Sequence, residues 1–222
     1  MIVGIHQPNY LPYLGFFDKM KKSDTFIIYD DAQFNKSDFQ HRNRIRIHNG
    51  SKWLTVPVEK KHKPINEVCI QNEITIKDQK WKDHHLAQIY DNYKKADQFD
   101  TYFPDISPTY KNEHEFLVDL NMEIIAFLNK SFEIDVKIVH SSEYPSASQS
   151  THRIIELVQS VGGDTYLSGP AGKDYMDMEL FENAGIELLF QEFAHPVYKQ
   201  QYDGFVPNMS AIDALFNGYR FD

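Results

Sequence analysis

The chain has 222 residues, 41% hydrophobic and 14% aromatic, with 23 Lys and Arg against 32 Asp and Glu, a net charge of −9. That length suits one α/β domain, or one domain with an insertion, and buries roughly 70–75% of the unfolded surface without staples. The acidic balance disfavours a nucleic-acid or other polyanionic partner but permits a local basic pocket, and the lone Cys69 excludes an internal disulfide and a multi-cysteine metal site.

The opening Met1-Ile2-Val3-Gly4-Ile5 is a short apolar run without a basic leader, which reads as a strand over 2–5 rather than a signal peptide. No stretch approaches the ~18–20 apolar residues of a membrane span, so a soluble, cytoplasmic protein is expected. A helix fits 14–22, between Pro12 and Ser23-Asp24, and Thr25-Phe26-Ile27-Ile28-Tyr29 is a second apolar run ending on Asp30-Asp31. Two such strands around a helix make a βαβ unit with a parallel pair. Next, Arg44–Ile47 and Trp53–Val58 flank His48-Asn49-Gly50-Ser51, and Asn-Gly between alternating runs marks a hairpin. Val68–Ile70 and Ile74–Ile76 read as short added strands, with Cys69 a buried strand thiol.

From residue 79 the period changes. Trp81, Leu86, Ile89 and Tyr93 predict a helix to about 95, and Phe116, Leu120, Ile124, Phe127 and Leu128 predict another. Residues 99–112, with Pro104 and Pro108, read as a loop. The α/β rhythm then resumes with strand 136–140, helix 151–161, strand 165–168, helix 173–184, strand 187–193 and a last helix over 209–217. The expectation is a single α/β domain over 1–222: a mainly parallel sheet, an antiparallel hairpin layer and a largely helical insertion at about 79–130.

In open α/β sheets ligands bind at the carboxyl ends of the strands. That points to His6-Gln7-Pro8, Asp30-Asp31, His140-Ser141, Ser168-Gly169-Pro170 and the region of His195. His6 ends the first strand before a proline-fixed loop, a good way to hold an imidazole rigidly; Gln7, Asn9 and Tyr10 accompany it as substrate-binding candidates. Asp30 and Asp31 cannot face the same way on an extended chain, so one is free to orient His6, act as a base or bind hydroxyls; a helix-capping carboxylate is the alternative. Gln33 follows them. Gln40-His41-Arg42-Asn43-Arg44 concentrates planar polar groups, and two Arg forks suit phosphate or carboxylate, unless this is a solvated strand edge. Lys52 and Trp53 lie across the predicted turn. Ser168-Gly169-Pro170-Ala171-Gly172-Lys173 is a strand–turn–helix junction able to hold an anion, yet it lacks the Walker A spacing; simple helix initiation is the other reading. His195 and Tyr198 follow the last strand in a polar segment. No histidine spacing forms a metal signature, no nucleophile elbow is present, and nothing names a cofactor.

These stretches together resemble the WbqC-like family: His6-Gln7-Pro8-Asn9-Tyr10-Leu11-Pro12-Tyr13, Asp30-Asp31-Ala32-Gln33-Phe34, Gln40-His41-Arg42-Asn43-Arg44, Trp53-Leu54-Thr55-Val56-Pro57-Val58, Tyr166-Leu167-Ser168-Gly169-Pro170 and His195-Pro196-Val197-Tyr198. The resemblance implies a part in bacterial surface-polysaccharide (O-antigen) biosynthesis, with a small-molecule substrate such as a sugar nucleotide. It leads to the expectation of an enzyme transferring an acyl or aminoacyl-type group to an activated amino sugar. His6 would then be the base, an Asp its orienter, and Arg42 with Arg44 the phosphate contacts. A second likeness is to the Rossmann-like HUP nucleotidyltransferases, which implies a HUP-like sheet and an ATP-dependent ligase or nucleotidyltransferase. Its His-x-x-His turn becomes His6-x-x-Asn9 here, which counts against adenylyl transfer. A non-catalytic sugar-nucleotide binder is the third reading.

Overall fold

A computed structural model describes residues 1–59, 62–174 and 176–221. In chain order the elements are β1 (Ile2–His6), α1 (Leu14–Lys21), β2 (Thr25–Ile28), β3 (Arg42–Ile47), β4 (Gly50–Thr55), β5 (Thr75–Ile76), β6 (Gln79–Lys80), α2 (Trp81–Tyr93), α3 (Phe99–Ile106), α4 (Leu117–Ser131), β7 (Lys137–His140), α5 (Ser150–Ser160), β8 (Thr165–Ser168), α6 (Met178–Asn183), β9 (Glu187–Phe190) and α7 (Ala211–Phe216). Contacts divide the chain into two compact units. The first holds Met1–Gln7, Gly15–Asp31 and Ile134–Ala194; the second holds Pro8–Leu14, Ala32–Glu133 and His195–Asp222.

The first unit is built on a five-stranded, all-parallel sheet in the order β7-β2-β1-β8-β9. Numbered along the chain, that is 3-2-1-4-5, the doubly wound order of Rossmann-like folds. β2 is buried throughout, as its unbroken apolar run requires in a sheet covered on both faces. One face packs Val3, Ile5, Ile27 and Val139 against Ile155 and Val158 of α5 and Phe181 of α6. Gly4 faces the other way, where a methyl group would meet the Ser23 hydroxyl and lie 2.9 Å from the Phe26 ring. The expected α/β class, parallel sheet and antiparallel hairpin are all present.

The second unit contains that hairpin, with Arg44 opposite Trp53 and Ile47 opposite Gly50, together with α2, α3, α4 and α7. Leu117, Leu120, Ile124, Ile125 and Leu128 line the buried stripe of α4, and every residue of α7 is buried. Loop 8–14 is pinned into this unit by backbone bonds from Tyr10 N–H to Phe39 and from Ala211 N–H to Pro12. Leu11 takes a left-handed φ of 45°, rare for a branched residue, and the Asn43 amide donates to its carbonyl at 2.6 Å.

Four expectations change. Residues 99–112 are not a loop: α3 and a 3₁₀ turn at Ser107–Tyr110 occupy most of them. Pro104 removes one hydrogen bond, but Phe99 and Phe103 stack at 4.5 Å and Phe99 and Ile106 are buried, which offsets the loss. Val68–Ile70 makes only isolated bridges, Val58 to Ile70 and Cys69 to Phe116, so Cys69 is half-buried rather than in a buried strand. The helix expected at 173–184 is a 3₁₀ turn over Pro170–Asp174 followed by α6; Tyr175, inside that span, lies outside the described residues. The last sheet strand stops at Phe190 instead of 193. Among the described residues no helix is long and apolar enough to cross a membrane.

Candidate functional site

The carboxyl edge of the parallel sheet carries the densest constellation in the first unit. The register places His6, Ile28 and His140 on one line across three strands. With strands ~4.8 Å apart, the two histidine backbones stand about 10 Å from each other.

Just beyond β2 the adjacent carboxylates Asp30 and Asp31 lie in a turn, not on extended chain, and the Ser141 hydroxyl sits within reach of both. Asp30, 4% exposed, lies 3.0 Å from His140 Nδ1. It also accepts from the Ser142 amide (3.0 Å), the Ser142 hydroxyl (2.9 Å) and the Ser141 hydroxyl (3.0 Å). Asp31 instead meets the buried Arg153 guanidinium at 2.8 Å, and the Ser141 hydroxyl reaches it as well. Arg153 is fixed further by the carbonyls of Ser141 (3.0 Å) and Tyr144 (2.6 Å). Burial pushes the Asp30 carboxyl upward, but the hydrogen bonds from His140, Ser142 and Ser141 outweigh it and hold the group down to about 2. Asp30 is therefore an anion at neutral pH. By accepting from Nδ1–H it fixes the tautomer and the orientation of the imidazole. The His140 side chain is 31% exposed, so the oriented ring keeps an accessible surface.

His6 is a different imidazole. Its Nδ1 is 2.9 Å from the Gln7 carbonyl and its ring stands edge-on to Phe16 at 5.0 Å. Burial, then the nearby Lys19 ammonium, lowers its pKa to about 4, against a smaller opposing effect of the Gln7 carbonyl, so it is neutral at physiological pH. Lys19 is itself buried, donates to the Ile5 carbonyl at 2.6 Å, and is pushed down to about 7 by desolvation. Next along the sheet, at the point where strand order reverses, Ser168 ends β8 with its hydroxyl 3.0 Å from the Gly169 carbonyl. The Gly172 amide of the following turn is taken by that same carbonyl, and Lys173 lies 4.9 Å over the Phe190 ring.

Of the residues marked from sequence, His6, Gln7, Asp30, Asp31, Ser168 and Lys173 thus belong to the first unit. The others belong to the second, and several are braces inside it. Tyr10 is fully buried, its hydroxyl 2.7 Å from that of Tyr110 and 2.9 Å from His85. Asn9 is buried too. Gln40 accepts from the Asn35 amide at 2.8 Å, and Asn43 holds the Leu11 carbonyl and the Arg44 amide. Gln33 is exposed and donates to the Lys63 carbonyl. His195 Nδ1 lies 2.9 Å from the Pro196 carbonyl. Tyr198 donates at 2.7 Å to the buried Asp213, which Gln200 and Tyr93 also hold. Arg42 and Arg44 do come together: their guanidiniums lie 4.8 and 5.6 Å from the exposed Trp53 ring, with no ion pair among the described residues.

Asp30-Asp31 and His140-Ser141 are both legible in the sequence as strand ends, and the imidazole that meets Asp30 is that of His140. Ser142 and Arg153 went unmarked. Nothing local distinguishes an Arg one turn into a helix that will reach back 122 positions to a carboxylate.

Residues 7–220 match the WbqC-like protein family. An uncharacterized protein of Mycobacterium tuberculosis, Rv1507c, is 34% identical over 220 residues, covering 97% of this chain and 93% of that protein. No solved structure matches.

Proposed function

Taking as premise that the chain belongs to the WbqC-like protein family, we propose that it is an enzyme of surface-polysaccharide biosynthesis that transfers an acyl or aminoacyl-type group to the amine of an activated amino sugar. The observation that carries this reading is the Asp30–His140 pair: an oriented, partly exposed imidazole backed by a buried carboxylate, at the carboxyl edge of a doubly wound sheet. Amide formation joins the sugar amine to the acyl carbon while the bond from that carbon to the donor's carrier group breaks, so the carrier leaves with the bonding electrons and the amine gives up a proton. His140 takes that proton, and Asp30 stabilises the imidazolium. His6, kept neutral, serves as a hydrogen-bonding partner to substrate rather than as the base. A cytoplasmic location follows from the same reading, since activated sugars are made there.

The test is product formation from amino-sugar nucleotides and acyl donors, followed by mass spectrometry. His140→Gln, which keeps a donor for Asp30, should lower kcat by roughly 10²–10⁴ with little change in melting temperature. Turnover equal to the parent protein removes His140 from the chemistry. The strand order favours a second reading, nucleotide-dependent ligation, in which an ATP analogue stabilises the protein. No thermal shift at millimolar analogue rejects it.

A further inference from the structure

Pairing between β2 and β7 ends where Ile28 stands opposite His140. Asp30 and Asp31 then lie in a turn, and Ser141–Glu143 form a 3₁₀ turn, so the ladder does not fix one loop against the other. Side chains must do it. α5 is anchored on the sheet by Ile155, Leu157 and Val158, which pack with Val3, Ile5, Ile27 and Val139. From the first turn of that helix the Arg153 guanidinium, 4% exposed, reaches both loops at once. Its Nη2 donates to Asp31 at 2.8 Å and to the Ser141 carbonyl at 3.0 Å, and its Nη1 donates to the Tyr144 carbonyl at 2.6 Å. Asp31 follows Asp30 directly and Ser141 follows His140 directly. The fork thus grips the neighbour of each member of the pair, one from each strand end. A planar guanidinium holds several acceptors in fixed relation, which the point charge of an ammonium does not.

We propose that Arg153 is a positioning residue, which locks the His140 loop onto the β2 loop through Asp31 and so holds the His140 imidazole against Asp30. Its effect on turnover rests on the reading of His140 as the proton acceptor; its effect on the imidazole is read without substrate. Nitrogen-15 NMR of the full chain with labelled histidine reports the tautomer and pKa of His140, assigned by the signal lost in His140→Gln. Removing a cation by itself raises the pKa of a nearby imidazole, whereas losing contact with a carboxylate lowers it. Arg153→Met should therefore lower the His140 pKa by about one unit, mix its two tautomers and cut kcat about 10²-fold in the transfer assay. Arg153→Lys, which keeps the charge without the fork, should shift the pKa the same way by less. Asp31→Ala, at a side chain 29% exposed, opens the same clamp from the solvent side and should also mix the tautomers, which decides the matter if Arg153→Met does not fold by circular dichroism. A His140 pKa that rises or stays fixed in folded Arg153→Met, or an intact Nδ1–H tautomer in Asp31→Ala, overturns the proposal. Shifted signals in these variants alongside full turnover in His140→Gln remove the transfer reading and leave the positioning role in place.

Discussion

Replacing Asp30 by Asn probes the strongest electrostatic feature of the sheet edge. The native carboxyl titrates at about 2 instead of 3.8, because four donors favour its charged form. At ~1.4 kcal/mol per pH unit, that difference of about 1.8 units stabilises the fold by about 2 kcal/mol. The sign follows from a depressed folded-state value. The contribution is fully present above pH ~4 and disappears as the pH falls from 4 to 2, where the native anion must accept a proton. Asn cannot titrate, and its NH₂ confronts donors on His140 and Ser142. Urea unfolding of both proteins from pH 2 to 7 therefore yields a difference curve. It should be flat above pH 5 and shrink by about 2 kcal/mol toward pH 2. Parallel stability curves over the whole range would show that Asp30 is no better solvated by its neighbours than in the unfolded chain.

Lys19 should act in the opposite direction. Its folded pKa is lowered from 10.5 to about 7, so the unfolded chain binds the extra proton and stability rises between pH 7 and 10.5, by up to ~5 kcal/mol. Lys19→Met should abolish that rise in denaturant titrations. Asp213→Ala strands Tyr93, Tyr198 and Gln200 and should cost ~3–5 kcal/mol in thermal unfolding. Gly4→Ala forces a methyl group against Ser23 and Phe26 and should cost ~1–3 kcal/mol by calorimetry. Asn43→Ala frees the Leu11 carbonyl and the Arg44 amide and should cost ~1–3 kcal/mol, leaving loop 8–14 the first segment to exchange its amides.

The parallel strands were legible because each is a short apolar run, and the hairpin because Asn49-Gly50 sits between alternating segments. α3 was not, since its evidence is an aromatic stack that exists only once the helix forms. The site was readable in halves. Asp30 and His140 each end a strand, so the edge rule found both, but their pairing spans 110 positions and depends on β7 lying beside β2. Gln40, Asn43 and Tyr10 have polar groups suited to a ligand, and only burial reveals that their partners are Asn35, Leu11 and Tyr110. Composition cannot separate a brace from a contact.

The alternation of the chain between its two units bears on biosynthesis. The first unit is assembled from 1–7, 15–31 and 134–194, and the central β1 lacks its β8 neighbour until Thr165–Ser168 has been made. On the ribosome the apolar β1 and β2 must wait through the whole of 32–133, with both edges of the pair unpaired, before β7 arrives to cover the β2 edge. At ~5–20 residues per second that interval lasts on the order of 5–20 s, long enough for chaperone engagement. Yield on expression should therefore respond to translation speed through 32–133 more than to substitutions there that leave the native fold unchanged.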